Sequence, residues 1–360
     1  MATGLPQTGK LLLRDALRTL TAAADPALAH PEPEGAVRCY ACGHRCLVRP
    51  GKEGICKVRY NDGGMLRVPF GYVAGLACDP IEKKPFNHVL PGSDIVTFGM
   101  LGCDFHCGYC QNWVTSQALR DDDAGTHVEP VTPRQIVEIA KRYGAPAVCS
   151  SYNEPLITSE WAMAVFKEAR QAGLRCTYVS NGNATPEALE FIRPLVDAYK
   201  VDLKSFNDKH YRELGGVLEN VTKTIPMLKQ MGFWVEIVTL LVPGFNDDPD
   251  ELKRMAEFLV GVDVLLPWHI TAFHTDYKMS ETRSTTVEDL LKAGEIARSA
   301  GMQYVYLGNM PGQLGHWEDT RCHKCGHTLI RRRGFHILDN RLLRGGMCPN
   351  CSTRIPGIWE

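Results

Sequence analysis

Between residues 94 and 308 the chain alternates short apolar runs with longer stretches in which apolar positions recur every third or fourth residue. The short runs predict strands at Ile95–Met100, Ala147–Ser150, Cys176–Ser180, Ala198–Leu203, Phe233–Val242, Leu265–Phe273 and Tyr304–Leu307. The helical period predicts helices at Val131–Tyr143, Glu160–Ala172, 187–193, 220–231, 250–259 and 286–300. Thr132 is a plausible cap with Pro133 in the first turn, and Gly173 is a stop. Six or so strand–helix units point to an α/β fold, a partial (β/α)6 barrel of the TIM type. A doubly wound sheet has the same rhythm, so periodicity leaves it open. No G-x-G-x-x-G loop follows the first strand, which removes the usual dinucleotide-binding version.

The flanks read differently. Leu11, Leu12, Leu13, Leu17 and Leu20 give a weak helix within an extension over residues 1–36, ended by Pro26, Pro31 and Pro33. Residues 37–70 form a compact cysteine-bearing module with turns at Pro50-Gly51 and Asp62-Gly63. The division expected is thus 1–36, 37–70, a barrel over 71–311, and a small module over 312–360.

Composition narrows the function classes. With 44% hydrophobic and 22% charged residues in 360, the chain fills a core and is no disordered tail. A net charge of −1 disfavours a general polyanion binder, so nucleic acid is not the expected partner. No run of 18 apolar residues predicts a membrane span. Met1–Lys10 lacks a basic segment leading into an apolar core, so a secretory peptide is not expected either. The 14 cysteines fall mostly in short-spaced groups, which in a chain of this length suggests cytoplasmic metal chemistry rather than disulfides.

The sharpest group is Cys103-Asp104-Phe105-His106-Cys107-Gly108-Tyr109-Cys110, which follows the first barrel strand. Three thiolates at x3 and x2 spacing reach three corners of a cubane and leave one iron open for a small chelating molecule. Phe105 and Tyr109 are placed to shield it. The competing reading is a structural zinc site with His106 as fourth ligand.

C-x3-C-x-aromatic-C in this position resembles the signature of the radical S-adenosylmethionine (SAM) superfamily. The resemblance implies a 4Fe–4S cluster whose open iron binds SAM, reductive cleavage to a 5'-deoxyadenosyl radical, and hydrogen abstraction. Ser151-Tyr152-Asn153-Glu154-Pro155 resembles the family's Gly-Gly-Glu-Pro segment with two positions changed, and implies that Glu154 accepts from the SAM amino group. A helix-capping acid is the alternative. Ser180-Asn181-Gly182 resembles the turn of glycyl-radical-enzyme activating proteins. In the same comparison Asp202 and Lys204, two apart in a strand and so on one face, border SAM and substrate. His269 looks like a SAM-proximal histidine, and Tyr304 and Tyr306 are expected near the same mouth. Lys204, Tyr304 and Tyr306 are the catalytic candidates; Tyr109, Glu154, Ser180, Asn181, Asp202 and His269 join the three cysteines as cofactor candidates.

Further segments, including Asp79–Pro85, Pro243–Asp247 and Val305–Asn309, are similar to the radical SAM member of the AmmeMemoRadiSam system, near pyruvate formate-lyase activating enzymes. That kinship implies a flavodoxin- or ferredoxin-type electron donor and Memo-like and AMMECR1-like proteins as partners. The substrate stays open between a small molecule, a glycine of a partner enzyme, and transfer of a SAM-derived group. A zinc-containing nucleic-acid or protein adaptor is the rival from another class.

Two outer cysteine groups remain. Cys39, Cys42, Cys46 and Cys56 offer four thiolates within 18 residues, matching zinc or a second iron–sulfur cluster. Cys322-x2-Cys325 and Cys348-x2-Cys351, separated by 22 residues, resemble a zinc ribbon. The ribbon encloses Arg331, Arg332 and Arg333, for which plain solvation is the simplest reading.

Overall fold

The computed structural model describes Leu13, residues 17–124 and residues 126–360. Leu11 and Leu12 of the expected first helix lie outside the described residues, while Leu17 is buried in the main core.

An eight-stranded sheet forms the body, with β1 Gly75–Pro80, β2 Asp94–Gly99, β3 Ala147–Ser150, β4 Arg175–Ser180, β5 Ala198–Asp202, β6 Trp234–Leu241, β7 Trp268–Ala272 and β8 Val305–Gly308. Strands β2 to β8 are parallel and lie side by side in chain order; β1 runs antiparallel against β2. A doubly wound sheet reverses its strand order at a switch point, and this one does not, so the architecture is the partial barrel. Its outer layer is α1 Pro133–Tyr143, α2 Ser159–Gln171, α3 Pro186–Ile192, α4 Leu218–Gln230, α5 Pro249–Val262 and α6 Val287–Ser299. Thr132 caps α1 in a reciprocal box with Gln135, as its sequence suggests. Thr185, Asp248 and Thr286 cap α3, α5 and α6, each accepting a backbone N–H.

Strand β1 has no counterpart among the sequence-predicted elements. Gly-Leu-Ala-Cys-Asp-Pro shows neither alternation nor an apolar run, and as an edge strand it is half-buried throughout.

Inside the barrel, Ile81, Phe86, Val89, Ile95, Ala147, Cys149 and Ala198 form a separate apolar cluster at the end where the strands begin. The segment after β1 supplies this floor, and the chain's end seals it: the Leu90 N–H donates to the Ile358 carbonyl at 2.7 Å, and the Ile358 N–H to His88 at 2.8 Å. The carboxy-terminal module is a three-stranded antiparallel sheet, Thr320–Arg321, Thr328–Arg333 and His336–Asn340. Its Arg332 turns inward, donating to Asn87 and Thr320 beside Glu82, whereas Arg331 and Arg333 are exposed. The amino-terminal module has two small antiparallel sheets around Val37, Cys39, Ala41, Val48, Leu66 and Val68. Its buried Arg59 pairs with Glu160 of α2 and donates to the Ile157 carbonyl. Among the described residues no helix is long and apolar enough to cross a membrane.

Candidate active site

The cysteine loop leaves the end of β2, and the segments after β3, β4 and β5 converge beside it, all at the opposite end from the floor. Gly102 enters the loop with φ of +89°, and a Cβ there falls 2.7 Å from Val58 and 2.9 Å from the Cys56 carbonyl. Only glycine fits that approach. Cys107 is buried and Cys103 and Cys110 are half-buried. The Phe105 N–H donates to the Cys103 sulfur at 3.4 Å, and Cys110 lies 3.2 Å from the Ser116 hydroxyl. Burial pushes the Cys107 thiol up to about 12, against the pull of the Lys204 ammonium. Burial and the neighbouring Asp104 push Cys103 up as well. A metal must displace these protons to bind, and three sulfurs on one loop are a donor set that fits an iron–sulfur cluster.

Asp104 is the residue that sequence reasoning missed. It is fully buried and accepts Asn181 Nδ2 at 2.7 Å and Asn183 Nδ2 at 2.8 Å, fastening the cysteine loop to the turn after β4. Asn183 also receives Asn220 Nδ2, and its carbonyl receives the Gly43 N–H at 2.7 Å. The only sequence signal was an acid between two cysteines and two asparagines around Gly182.

Glu154 takes the capping geometry. Its carboxyl accepts the Leu156 N–H at 3.1 Å, the Ser180 hydroxyl at 2.7 Å and the Asn181 N–H at 2.7 Å. Burial first, and Asp104 second, raise it to about 8. Just before it, Tyr152 occupies the left-handed region at φ +70°, with its hydroxyl 3.2 Å from Lys84 Nζ. A non-glycine there costs about 1 kcal/mol or more. Room for its ring comes from Gly75 and Gly99, where a Cβ meets Tyr152 atoms at 3.1 Å and 2.8 Å.

Asp202 and Lys204 do share a face, with Lys204 Nζ 3.0 Å from Asp202 Oδ2. Asp202 keeps 37% of its side chain exposed, against 14% for Lys204. Tyr109 is buried edge-on to Phe245, their centroids 5.5 Å apart. Residues 274–284, after β7, fold over the cysteine loop: the Lys278 N–H donates to Gly108 at 3.0 Å, Gln111 meets His274 at 2.9 Å, and Tyr277 stacks on Trp113 at 5.0 Å.

Three expected members of the mouth lie elsewhere. His269 is the second residue of β7 rather than its end, and donates to Glu236 at 2.6 Å. Tyr306 stacks on His269 at 5.1 Å and meets His88 Nε2 at 2.6 Å and Thr320 at 2.9 Å. Tyr304 precedes β8 and meets His323 at 2.7 Å, packed with Cys322, Leu329 and Cys348. These tyrosines bind the carboxy-terminal module to the barrel floor, because their strand enters from that end.

At the ribbon, the sulfurs of Cys322, Cys325, Cys348 and Cys351 all lie within 4.8 Å of one another. Cys322–Cys351 at 3.6 Å and Cys325–Cys348 at 3.7 Å match the edge of a tetrahedron with metal–sulfur bonds of about 2.3 Å.

Residues 98–259 match the family model described as the Radical SAM superfamily. The chain is 36% identical over 324 residues to an uncharacterized protein of Methanocaldococcus jannaschii, covering 89% of this chain and 95% of that one. It is 28% identical over 240 residues to the pyruvate formate-lyase-activating enzyme of Staphylococcus aureus, covering 62% and 93%. Among solved structures it is similar to SuiB of Streptococcus suis, with a TM-score of 0.47 and 14% identity over 64% of this chain and 52% of that one.

Proposed function

The chain belongs to the radical SAM superfamily, and from that premise we propose that Cys103, Cys107 and Cys110 carry a 4Fe–4S cluster with one iron left for SAM. The observation that carries this reading is the placement of three cysteines on one loop at the strand ends, with the Lys204 ammonium beside Cys107. A cluster held there would, with SAM and one electron, supply cleavage of the SAM C5'–S bond to methionine and a 5'-deoxyadenosyl radical able to take a hydrogen atom from the substrate.

The chain's own side chains orient and enclose. Asp202, with its open carboxylate, accepts from the SAM ammonium group, and Lys204 pairs with a carboxylate of SAM or of the reactant. Glu154 acts at one remove: it holds Ser180 and Asn181, which in turn holds Asp104. Residues 274–284 cover the cysteine loop through the Trp113–Tyr277 stack and the approach of Met279 to Gly108, which favours a small-molecule substrate. The relative in Staphylococcus aureus, named as an activating enzyme, favours a second reading in which a partner enzyme's glycine is the hydrogen donor. The ribbon cysteines hold zinc in a structural role.

Anaerobic incubation with SAM and dithionite, followed by chromatography, tests the reaction. The expected product is 5'-deoxyadenosine in at least stoichiometric amount. Yields no higher than from iron-free protein overturn the assignment.

A further inference from the structure

The amino-terminal cysteines are left over from this site, and their surroundings are those of metal-bound sulfur. Cys39, Cys42 and Cys56 are buried and Cys46 is half-buried. The Arg59 guanidinium lies 3.6 Å from the Cys39 sulfur. A guanidinium in that position suits an anionic sulfur ligand far better than a neutral one. The backbone turns sharply beside two of the sulfurs, where Arg45, before Cys46, has φ of +45°, and Lys57, after Cys56, has φ of +67°. The ribbon shows the same device, with Gly326 and Ser352 left-handed just after Cys325 and Cys351.

The two four-cysteine groups differ in spread. All four ribbon sulfurs fit within 4.8 Å, as ligands of one ion must; among the described residues no three of the amino-terminal sulfurs do so. Thiolates on an iron–sulfur cluster bind different irons and stand further apart than thiolates on a single ion.

The group also abuts the central loop. Gly102, next to Cys103, is packed against Val58 and the Cys56 carbonyl. His44, between Cys42 and Cys46, has its Nε2 buried with no hydrogen-bond partner and 3.9 Å from Asp104 Oδ2. Its ring meets Phe105 edge-on at 6.4 Å.

We propose that Cys39, Cys42, Cys46 and Cys56 hold a second iron–sulfur cluster, seated to pass one electron to the centre at Cys103, Cys107 and Cys110. The relay rests on the radical SAM reading above; the identity of the second centre does not. In the relay a low-potential one-electron protein donor is oxidised, the second cluster is reduced and then reoxidised, and the central cluster gains the electron.

The test uses full-length chain expressed anaerobically with iron and zinc both supplied. A variant with Cys103, Cys107 and Cys110 all changed to Ala should retain about two to four irons with matching sulfide. It should carry one zinc, in the ribbon, and a paramagnetic signal on reduction. Adding Cys42→Ser should remove that iron and signal. Two zincs and no iron in the triple variant overturn the proposal. Should the triple variant not fold, the intact chain decides: about six to eight irons and one zinc support it, and about four irons and two zincs overturn it. For the relay, Cys42→Ser should slow SAM cleavage at least tenfold more with a flavodoxin-type donor than with dithionite. Equal slowing with both overturns the relay. Failure of the radical SAM reading shows separately, as wild-type chain that binds iron without cleaving SAM.

Discussion

Asp104 at the mouth of the barrel and Glu236 at its floor are both fully buried carboxylates, and they are neutralised in different ways. Glu236 accepts the Asn87 and His88 N–H groups, the Trp234 indole and the His269 imidazole. Lys200 and those hydrogen bonds hold it well below the usual carboxylate range, although burial opposes them. The histidines around it stay neutral, His88 lowered to about 4 and His269 to about 3, chiefly by burial. Asp104 has two asparagine amides, with Glu154 and Cys103 close enough for its charge to raise them both. The mouth gathers Asp104, Glu154, Asp202 and three thiols, with the Lys204 ammonium beside Asp202 and Cys107. A buried polar network is therefore not in itself a site. The floor surrounds Glu236 with four hydrogen-bond donors, whereas the mouth sets Asp104 beside the thiols proposed above to hold a cluster.

The widest break in this comparison is Cys107→Ala. It should abolish 5'-deoxyadenosine formation and remove about four irons per chain, while the ribbon keeps its zinc and the floor its packing. Wild-type product yield from this variant overturns the mouth as the reactive end. The opposite break is Cys322→Ser. It should release the ribbon zinc and unfold residues 312–360 locally, because metal binding supplies such a module's folding energy. Limited proteolysis within that segment, with central iron unchanged, is the expected result. Loss of central iron with zinc retained overturns the ribbon assignment.

Glu236→Ala sharpens the same contrast from within the fold. It strips partners from His269, from two backbone N–H groups and from the Trp234 indole, and removes an opposite charge from the field of Lys200, whose ammonium is buried without a hydrogen-bond partner. A loss of about 3–5 kcal/mol in unfolding stability is expected, measured by denaturant titration of the iron-free chain. A loss below about 1 kcal/mol means that the network contributes little to folding.

The sequence made much of this legible, for identifiable reasons. Strands β2 to β8 are covered on both faces, so they read as continuous apolar runs, and their helices carry one apolar face each. Bounds therefore agree closely; Ala147–Ser150 is the same in both readings. The edge strand Gly75–Pro80 has no such face. Residues 274–284 have no period, so their fold over the cysteine loop left no trace in the pattern. Alternation gave the face on which Asp202 and Lys204 point. It carries no information on height along the barrel axis, and so His269, Tyr304 and Tyr306 were assigned to the wrong end. Asp104 was hidden for another reason: its partners Asn181 and Asn183 lie more than 75 residues away and meet it only in the folded barrel.

The finest distinction is at Glu154, where the acid's charge state reports which network it serves. Its pKa in the folded chain is raised to about 8, mainly by burial and then by Asp104, against 4.5 for the free group. A raised value means that the folded chain binds the proton more tightly than the unfolded chain does. The corresponding stabilisation is fully present below about pH 4.5, declines as pH rises, and is gone above about pH 8. Glu154→Gln keeps the shape and an oxygen that accepts the Asn181 or Leu156 N–H, but cannot ionise. The wild type should therefore lose melting temperature relative to Glu154→Gln between pH 5 and 8 by several degrees, as expected of a shift worth up to about 5 kcal/mol. Parallel melting curves for the two chains, recorded without iron, mean that Glu154 titrates normally and is not held by Asp104 and burial. With iron and SAM bound, the substitution should weaken SAM less than tenfold, because the acid acts through Ser180 and Asn181 rather than on the ligand. A hundredfold loss in anaerobic calorimetry, with the iron content unchanged, places Glu154 on the SAM amino group after all, and requires the Leu156 cap to open when the ligand binds.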